Sequence, residues 1–418
     1  MKTGLFFTLL ILLLAIRLMG QRNCSTFTYQ QQELKNNPSL IQKINAIEAF
    51  TRLTVSSTNN TSYRTSGVSV IKIPVVVHIL YHLPSENISD ELVFSQIAEL
   101  NRDFRRQNAD AVNTPSYFKL LAADCEIEFE LAKSDSRRRS TSGILRKYTP
   151  INLWESDDKM KSNTEMGDDA WDSKSYLNIW VCNLDLVSGF SSIPGGPENK
   201  DGVVIGFQAF GTTNSGTGFD MGKTAVHEVG HWLNLKHLWG DATCGDDGVD
   251  DTPKQTGYNI DCPKGIRITC NNGPNGDMYM DYMDFTSDAC MNMFSKGQKA
   301  RMRALFASGG SRNSILSSTG LSAALIFEVP LPDEPPRWLH PQLYPNPATT
   351  EMMIDLAFDV RWIGKMIAIT NLQGQTVMQM SITSKNQKIN ISKLQSGMYL
   401  LTAKKEDGDF IKQKFIKI

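Results

Sequence analysis

The chain has 418 residues, enough for two or three domains, and its net charge of −1 gives no global reason to expect nucleic acid or an acidic lipid surface as a partner. Hydrophobic residues make up 41%, the composition of an ordinary globular protein and not of a disordered or fibrous one. Lys2, the apolar run Leu5 to Ile16 and the small residue Gly20 read as a secretory signal peptide over 1–20, too short and too N-terminal to anchor in a bilayer. No other stretch is long and apolar enough to span one, so the mature protein is expected to carry no transmembrane segment. Residues 21–66 are expected to form a propeptide. They are polar and rich in Gln and Asn, with one helical stretch from Pro38 to Leu53 and then an easily cut Ser/Thr/Asn run to Ser66, in which Arg64-Thr65 is the candidate maturation site.

The main globular domain is expected over 67–308. Val70 to Tyr81 is β-branched and largely apolar, the pattern of a buried strand. Ser89-Asp90-Glu91 opens a helix with Val93, Ile97, Leu100 and Phe104 on one face. Strands follow at Ile127 to Ala132, Leu177 to Leu184 and Val203 to Phe210, giving an α+β fold in which helices back a twisted mixed sheet. His78 and His82, at the end of the first strand, read as structural or surface residues.

The densest chemistry lies in His227-Glu228-Val229-Gly230-His231-Trp232-Leu233-Asn234-Leu235-Lys236-His237, where three of the six histidines fall within eleven positions. On a helix His227 and His231 sit one turn apart on one face, and both imidazoles can reach one metal ion. Glu228 follows the first of them directly, so its carboxylate stands beside the ion as a base without being a ligand. A straight helix would carry His237 too far along its axis. Asn234 stands where the chain must turn back, and asparagine tolerates the left-handed conformation that ends a helix. Three imidazoles with an open fourth position suit zinc and amide hydrolysis.

Between Gly240 and Met293 the chain has little periodicity but many Gly, Asp, Asn and Cys residues, the signature of a loop-built lower lobe. Four of the seven cysteines, Cys244, Cys262, Cys270 and Cys290, fall here and allow three disulfide pairings. Cys125 and Cys182 are candidates for a third bridge, which leaves Cys24 as the odd thiol. Asp246, Asp247, Asp250, Asp251 and Thr252 offer hard oxygen ligands to calcium, and so many like charges in a short loop repel unless a cation sits among them. Asp281-Tyr282-Met283-Asp284-Phe285 follows, and Ser295 caps a helix through Gln298, Met302 and Leu305.

Residues 309–341 read as a linker, Gly/Ser-rich and then Pro/acidic. Short alternating runs at Met352–Phe358, Lys365–Asn371, Thr376–Ile382, Lys388–Ile391, Met398–Lys404 and Phe410–Ile416 then argue a small all-β sandwich over 342–418.

The stretch from His227 to His237 resembles the metzincin metallopeptidase signature H-E-x-x-H-x-x-G-x-x-H, with Asn234 in place of glycine. Asp281 to Phe285, with Asp288-Ala289-Cys290-Met291, resembles the methionine turn of the pappalysin branch. The resemblance implies Met283 as an apolar base under the zinc, pairing of Cys244 with Cys270 and of Cys262 with Cys290, and calcium in the 246–252 loop. It also implies a tyrosine two residues after the methionine whose hydroxyl helps hold the oxyanion. This chain has Phe285 there, with Tyr282 and Tyr279 as neighbouring hydroxyls. Gln21-Arg22-Asn23-Cys24-Ser25 resembles the R-x-C-G latency segment of some pappalysin-type zymogens, in which a cysteine takes the fourth zinc position; Ser25 replaces the glycine. Tyr344-Pro345-Asn346-Pro347, Leu394 to Tyr399 and the Lys-rich end resemble the C-terminal sorting domain of the type IX secretion system. These features together imply a zinc endopeptidase made as a latent zymogen and exported through the periplasm, to act on proteins or peptides outside the cell or on its outer surface. The competing expectation is a secreted or surface binding protein that retains the zinc site but little or no catalysis.

Overall fold

The computed structural model describes residues 24–60, 70–213, 215–326, 341–356, 362–404 and 410–418. The expected signal peptide, the Arg64-Thr65 maturation site and the Pro-rich stretch 331–336 lie outside these residues. The chain divides into two compact units, one of residues 1–80, 90–145 and 153–331, the other of 81–89, 146–152 and 332–418. Among the described residues no helix is long and apolar enough to cross a membrane.

The first unit is built on one sheet with strand order β2-β1-β4-β6-β5, formed by β1 (Ile71–Tyr81), β2 (Ile127–Leu131), β4 (Leu177–Cys182), β5 (Gly189–Ser191) and β6 (Val203–Gly206). A further strand, β3 (Ile144–Tyr148), pairs with β1. The pairs β1–β2, β1–β4 and β4–β6 are parallel, and β5 runs antiparallel to β6. Central parallel strands are covered on both faces, which is why β1 and β4 are almost continuously apolar and buried along their lengths. The sequence pattern shows neither β5 nor β3: three residues are too few for alternation to register, and the five of β3 (Ile-Leu-Arg-Lys-Tyr) do not alternate.

Two helices precede the sheet, α1 (Thr26–Asn36) and α2 (Leu40–Asn60), where one was expected. The Gln-rich composition of the first hides a helix whose buried side chains are only Thr26 and Tyr29. Helix α3 (Asp90–Phe104) buries Val93, Leu100 and Phe104 as its 3.6-residue period predicts, at ~2 kcal/mol of apolar transfer for each. It also positions the site. Gln96 accepts from Gly211 N at 2.7 Å and donates to Gly222 O at 2.9 Å, tying it to the residue before α4 (Lys223–Trp232).

Two expectations are corrected here. Cys125 and Cys182 are separate buried thiols. Strand β1 lies between theirs, with Ile127 level with Ile71 and Val181 level with Ile79, so the two cysteines stand eight or more residues apart along it, about 25 Å. A disulfide spans no more than ~7 Å between Cα atoms. The start of the expected linker is likewise part of the first unit. Arg312 forms a buried ion pair with Asp201 and lies over the Trp232 ring at 3.7 Å, and a Cβ on Gly320 would fall 2.5 Å from the Tyr176 ring. Residues 309–326 are therefore packed structure.

The second unit contains two antiparallel sheets, β10-β9-β12-β13 and β11-β8-β7. Its strands are β7 (Gln342–Tyr344), β8 (Glu351–Asp355), β9 (Met366–Asn371), β10 (Thr376–Ser381), β11 (Asn386–Asn390), β12 (Gly397–Lys404) and β13 (Phe410–Lys417). Met352, Ile354, Ile367, Ile369, Ile389, Leu401 and Phe415 form its core at every second position, the sandwich expected from alternation.

The start of α4 is held by a buried ionic cluster. Lys223 Nζ lies 2.8 Å from Asp103 Oδ1, 2.8 Å from Glu99 Oε1 and 3.5 Å from Asp110 Oδ2, and Tyr282 Oη donates to Asp103 Oδ1 at 2.7 Å. Burial pulls the Lys223 pKa down, but the facing carboxylates outweigh it and hold the ammonium charged. Removing one partner of a buried pair leaves the others uncompensated. Lys223→Met is expected to destabilise the first unit by about 3–5 kcal/mol, read as a lower urea midpoint with far-UV and tryptophan probes.

Candidate metal centre

Helix α4 ends in a reversal that sequence spacing alone demanded. Asn234 has φ 70°, and the turn closes with Leu235 N donating to Gly230 O at 2.9 Å and Asn234 N to His231 O at 2.8 Å. These are the two bonds of a Schellman cap, with asparagine in the left-handed position. The reversal is pinned from outside by Arg301, on α5 (Lys296–Ala304), whose Nε donates to Asn234 O at 2.7 Å.

His237 is thereby returned to the helix. His231 Nε2 lies 3.1 Å from His227 Nε2 and 3.1 Å from His237 Nε2. Each ring is oriented from behind through Nδ1: His227 against Tyr282 O at 2.6 Å, His231 against Leu235 O at 2.9 Å, His237 against Asp241 Oδ1 at 2.5 Å. Carbonyl oxygens carry no proton, so Nδ1 is the donor in the first two rings, and the Asp241 carboxylate sets the same tautomer in the third. Burial, and then the neighbouring His237, push His231 down to about 3, which keeps it neutral. Three Nε2 lone pairs therefore converge with no proton to share, an arrangement that repels unless a cation accepts all three. The donor set fits zinc.

The fourth member of the cluster is Cys24. Its Sγ lies 3.6 Å from His231 Nε2, and the four donor atoms of Cys24, His227, His231 and His237 are all within 4.8 Å of one another. Burial, and then the Glu228 charge, push this thiol well up, so its proton is drawn off only by a cation among the four. Cys24 is bridged to Gly189 on the edge strand β5, and Ser25 N donates to Gly189 O at 3.1 Å.

Glu228 is buried beneath the same strand, where a Cβ on Gly189 would fall 3.0 Å from Glu228 Cγ. Only glycine lets β5 pass this close. Glu228 Oε2 accepts from Thr26 Oγ1 at 2.8 Å, and Thr26 Oγ1 in turn accepts from Ser191 N at 2.9 Å. The sequence carried no signal for Thr26 or the Tyr282 carbonyl, because their partners are close only in three dimensions. Asp241 and Leu235 lie four residues from the rings they orient and were missed because spacing does not give the path of the chain after the reversal.

Beneath the helix, Met283 is fully buried, and a Cβ on Gly230 would fall 2.5 Å from its sulfur. The methionine packs against the helix at Gly230. Asp284 gathers the lower lobe, accepting from Asn259 N, Asn259 Nδ2 and Gln255 Nε2 at 2.7–2.9 Å. Cys244 is bonded to Cys270 and Cys262 to Cys290. Phe285 faces His237 and His227 with ring centroids at 4.9 and 5.6 Å, and the Tyr282 hydroxyl, given to Asp103, is no substitute for the missing donor.

The acidic loop does not converge on one point. Asp246 accepts from Gly248 N, Asp247 is buried and accepts from Thr252 Oγ1 and Val249 N, and Asp251 accepts from Ser295 Oγ and Gly297 N at the start of α5. Asp250 is exposed. His78 is structural: its Nδ1 meets Asp168 at 2.7 Å, its Nε2 meets Asn178 at 3.1 Å, and its ring stacks on Trp180. His82 lies half-buried with Nδ1 3.2 Å from Thr149 O.

A helix-backed sheet whose edge strand overlies a glutamate and three convergent imidazoles, with a methionine turn beneath, defines a metzincin-type zinc peptidase. Comparison with known proteins agrees. The peptidase family described as Pregnancy-associated plasma protein-A matches residues 160–307, and the Secretion system C-terminal sorting domain matches 342–418. An extracellular metalloprotease of Verticillium alfalfae is 30% identical over 251 residues, covering 58% of this chain and 79% of the relative. Among solved structures, a Tannerella forsythia promirolysin mutant is 42% identical with TM-score 0.64, covering 71% of this chain and 97% of that one. Mature mirolysin from the same organism, in complex with a cleaved peptide, is 46% identical with TM-score 0.57, covering 59% and 96%. The chain belongs to the pappalysin family of metallopeptidases. It is a secreted zinc metalloendopeptidase with a type IX sorting domain, and the inactive binding protein is not favoured.

The N-terminal helices are held to this unit by a second anchor away from the metal. Arg301 Nη1 donates to Glu48 Oε1 at 3.0 Å and Nη2 to Oε2, while Asn234 Nδ2 reaches Thr51 Oγ1 at 3.4 Å. Between helices and metal centre a cavity of about 190 Å³ remains, bordered by Thr26, Glu48, His231, Asn234 and Asp241, so the cleft persists under its cover. Burial works against the Glu48 carboxylate, but the hydrogen bonds and charge of Arg301 outweigh it and hold its pKa at about 2. A depressed carboxylate stabilises above its unfolded pKa and loses that contribution as pH falls through the folded one. Docking of α2 is therefore expected to weaken between about pH 4.5 and pH 2, by at most ~3 kcal/mol, seen as faster amide exchange in α2. Glu48→Gln should remove this pH dependence.

Proposed function

We propose that His227, His231 and His237 hold the catalytic zinc and that Glu228 moves the proton in peptide-bond hydrolysis. The observation that carries this reading is the set of three back-bonded imidazoles whose Nε2 atoms converge beside a buried glutamate. Zinc held there supplies a Lewis acid that lowers the pKa of water and polarises the scissile carbonyl. Glu228 takes the proton from the attacking water and returns it to the leaving amine nitrogen. The backbone of Gly189 and Ser191 on β5 offers pairing groups to an extended substrate. Phe285 donates nothing to the oxyanion, so stabilisation there rests on fewer donors than the family pattern implies.

Residues 21–66 act as the propeptide of a zymogen. Cys24 takes the remaining position at the metal, and Thr26 occupies the base through its hydrogen bond to Glu228. Residues 1–20 serve as the export signal, the peptidase region runs from 67 to 326, and 342–418 engages the type IX secretion machinery. Proteins or peptides are the substrates. The test is cleavage of a diverse peptide library by the activated protein, with Glu228→Ala and Cys24→Ala alongside. Glu228→Ala is expected to lose about 10²–10⁴-fold in turnover with zinc still bound, and unactivated Cys24→Ala to cut where the unactivated parent is silent. A Glu228→Ala protein that cut at the parental rate would overturn the assignment of the base.

Calcium is proposed in the Asp246–Thr252 loop, with Asp246, Asp247, Asp250, Asp251 and Thr252 as the candidate oxygen donors, which would have to turn from their separate hydrogen bonds to share one ion. Its support is four carboxylates in one short segment tied by the Cys244–Cys270 bridge. A calcium chelator is expected to lower the melting temperature, and calcium but not magnesium to restore it; an unchanged melting curve removes the ion from this reading.

A further inference from the structure

The N-terminal segment makes one deep side-chain contact that blocking the metal does not require. Tyr29 is inserted to 6% exposure beside β5. Its ring lies 5.0 Å from the Phe190 ring, Lys161 Nζ sits 5.1 Å from its centroid, and its hydroxyl donates to Asp158 Oδ1 at 2.8 Å. Burial and then the Asp158 charge keep the phenol protonated.

The receptor for this side chain is built by the peptidase region itself. Lys161 Nζ is held by Asp158 Oδ1 at 3.0 Å and by Lys200 O at 2.9 Å, and rests 5.5 Å from the Trp180 ring and 5.2 Å from Phe190. Asp158 Oδ2 is paired with Lys200 at 2.8 Å. Apart from Glu33, which reaches Lys200 at 3.9 Å, the N-terminal segment takes no part in these contacts, so walls, cation and acceptor keep their own partners when it leaves.

The site also lies where a substrate would reach it. Successive residues of a strand face opposite sides, and Gly189 faces Glu228, so Phe190 faces the other side of the same edge strand. A peptide added to β5 as a further strand puts every second side chain on the Phe190 side, where an aromatic residue makes a cross-strand pair.

We propose that Asp158, Lys161 and Phe190 form a substrate subsite for a tyrosine side chain, used by Tyr29 in the latent chain and by a substrate tyrosine once the segment has left. The ring packs on Phe190 under the Lys161 ammonium, and the hydroxyl donates to Asp158. This rests on the peptidase reading and on removal of the N-terminal segment.

The experiment is cleavage-site profiling of a peptide library by the activated full chain, followed by kcat/KM for paired peptides that differ only by Tyr or Phe at the preferred position. Wild type is expected to favour tyrosine at one position outside the two residues flanking the scissile bond, on the order of tenfold over phenylalanine. Asp158→Asn should bring that ratio close to one. Cleavage with no tyrosine preference at any such position overturns the subsite, as does a preference that Asp158→Asn leaves unchanged. Should Asp158→Asn fail to fold, the wild-type ratio decides alone. Loss of all cleavage, matching Glu228→Ala, would instead mark failure of the peptidase reading.

Discussion

The structure depends on one chain reversal. Three imidazoles can meet only if the chain leaves helix α4 within a turn of His231 and comes back, and the left-handed Asn234 makes that bend. Everything around it keeps the bend in place. Arg301 holds its carbonyl from α5, Leu235 closes the cap and orients His231, and Met283 fills the space that Gly230 leaves open. At the opposite end of α4 the Lys223 cluster and Gln96 fix where the helix begins. The histidines are thus positioned by packing at both ends of a ten-residue helix, and their tautomers by backbone carbonyls and one carboxylate.

On the proposed reading, the same geometry lets one short segment silence the site. An edge strand must lie open if it is to accept an extended peptide, and an open edge pairs with whatever chain is nearest. Here that chain is the protein's own N-terminal segment, bridged to Gly189 through Cys24. On the proposed reading, thiol, hydroxyl and phenol are set on metal site, base and side pocket within six residues. The distant Glu48–Arg301 pair then ties the cover to the residue that supports the reversal, so the segment is fastened to the element on which the site depends.

Much of this was legible because it is local. The spacing of His227, Glu228 and His231 on a helix, the need for a bend before His237, the start of α3 at Asp90, the Ser295 cap of α5, and the alternation of the C-terminal strands are short-range consequences of helical and extended periodicity. The two short strands, the helix Thr26–Asn36 and the packing of 309–326 were not. Each is stabilised by what it touches and not by its own pattern, as the three-residue β5 shows. The Cys125–Cys182 pairing failed for the same reason: the sequence puts one cysteine before its strand and the other near the end of its own, but not that both strands run parallel to β1 on either side of it.

By itself the sequence determined which atoms could do the chemistry, since ligand type and helical spacing decide whether imidazoles and a carboxylate can share one centre. Only the tertiary structure decided which groups stand behind and in front of them: Asp241 and the carbonyls of Tyr282 and Leu235 behind, Cys24 and Thr26 in front, Tyr29 at the side. The physical reason is that Cys24, Thr26, Tyr29 and the Tyr282 carbonyl meet partners 55 to 207 positions away, and no local preference of the chain encodes which distant segment a packed core will bring to its edge, while Asp241 and Leu235, though near in sequence, are aimed only by the reversal at Asn234.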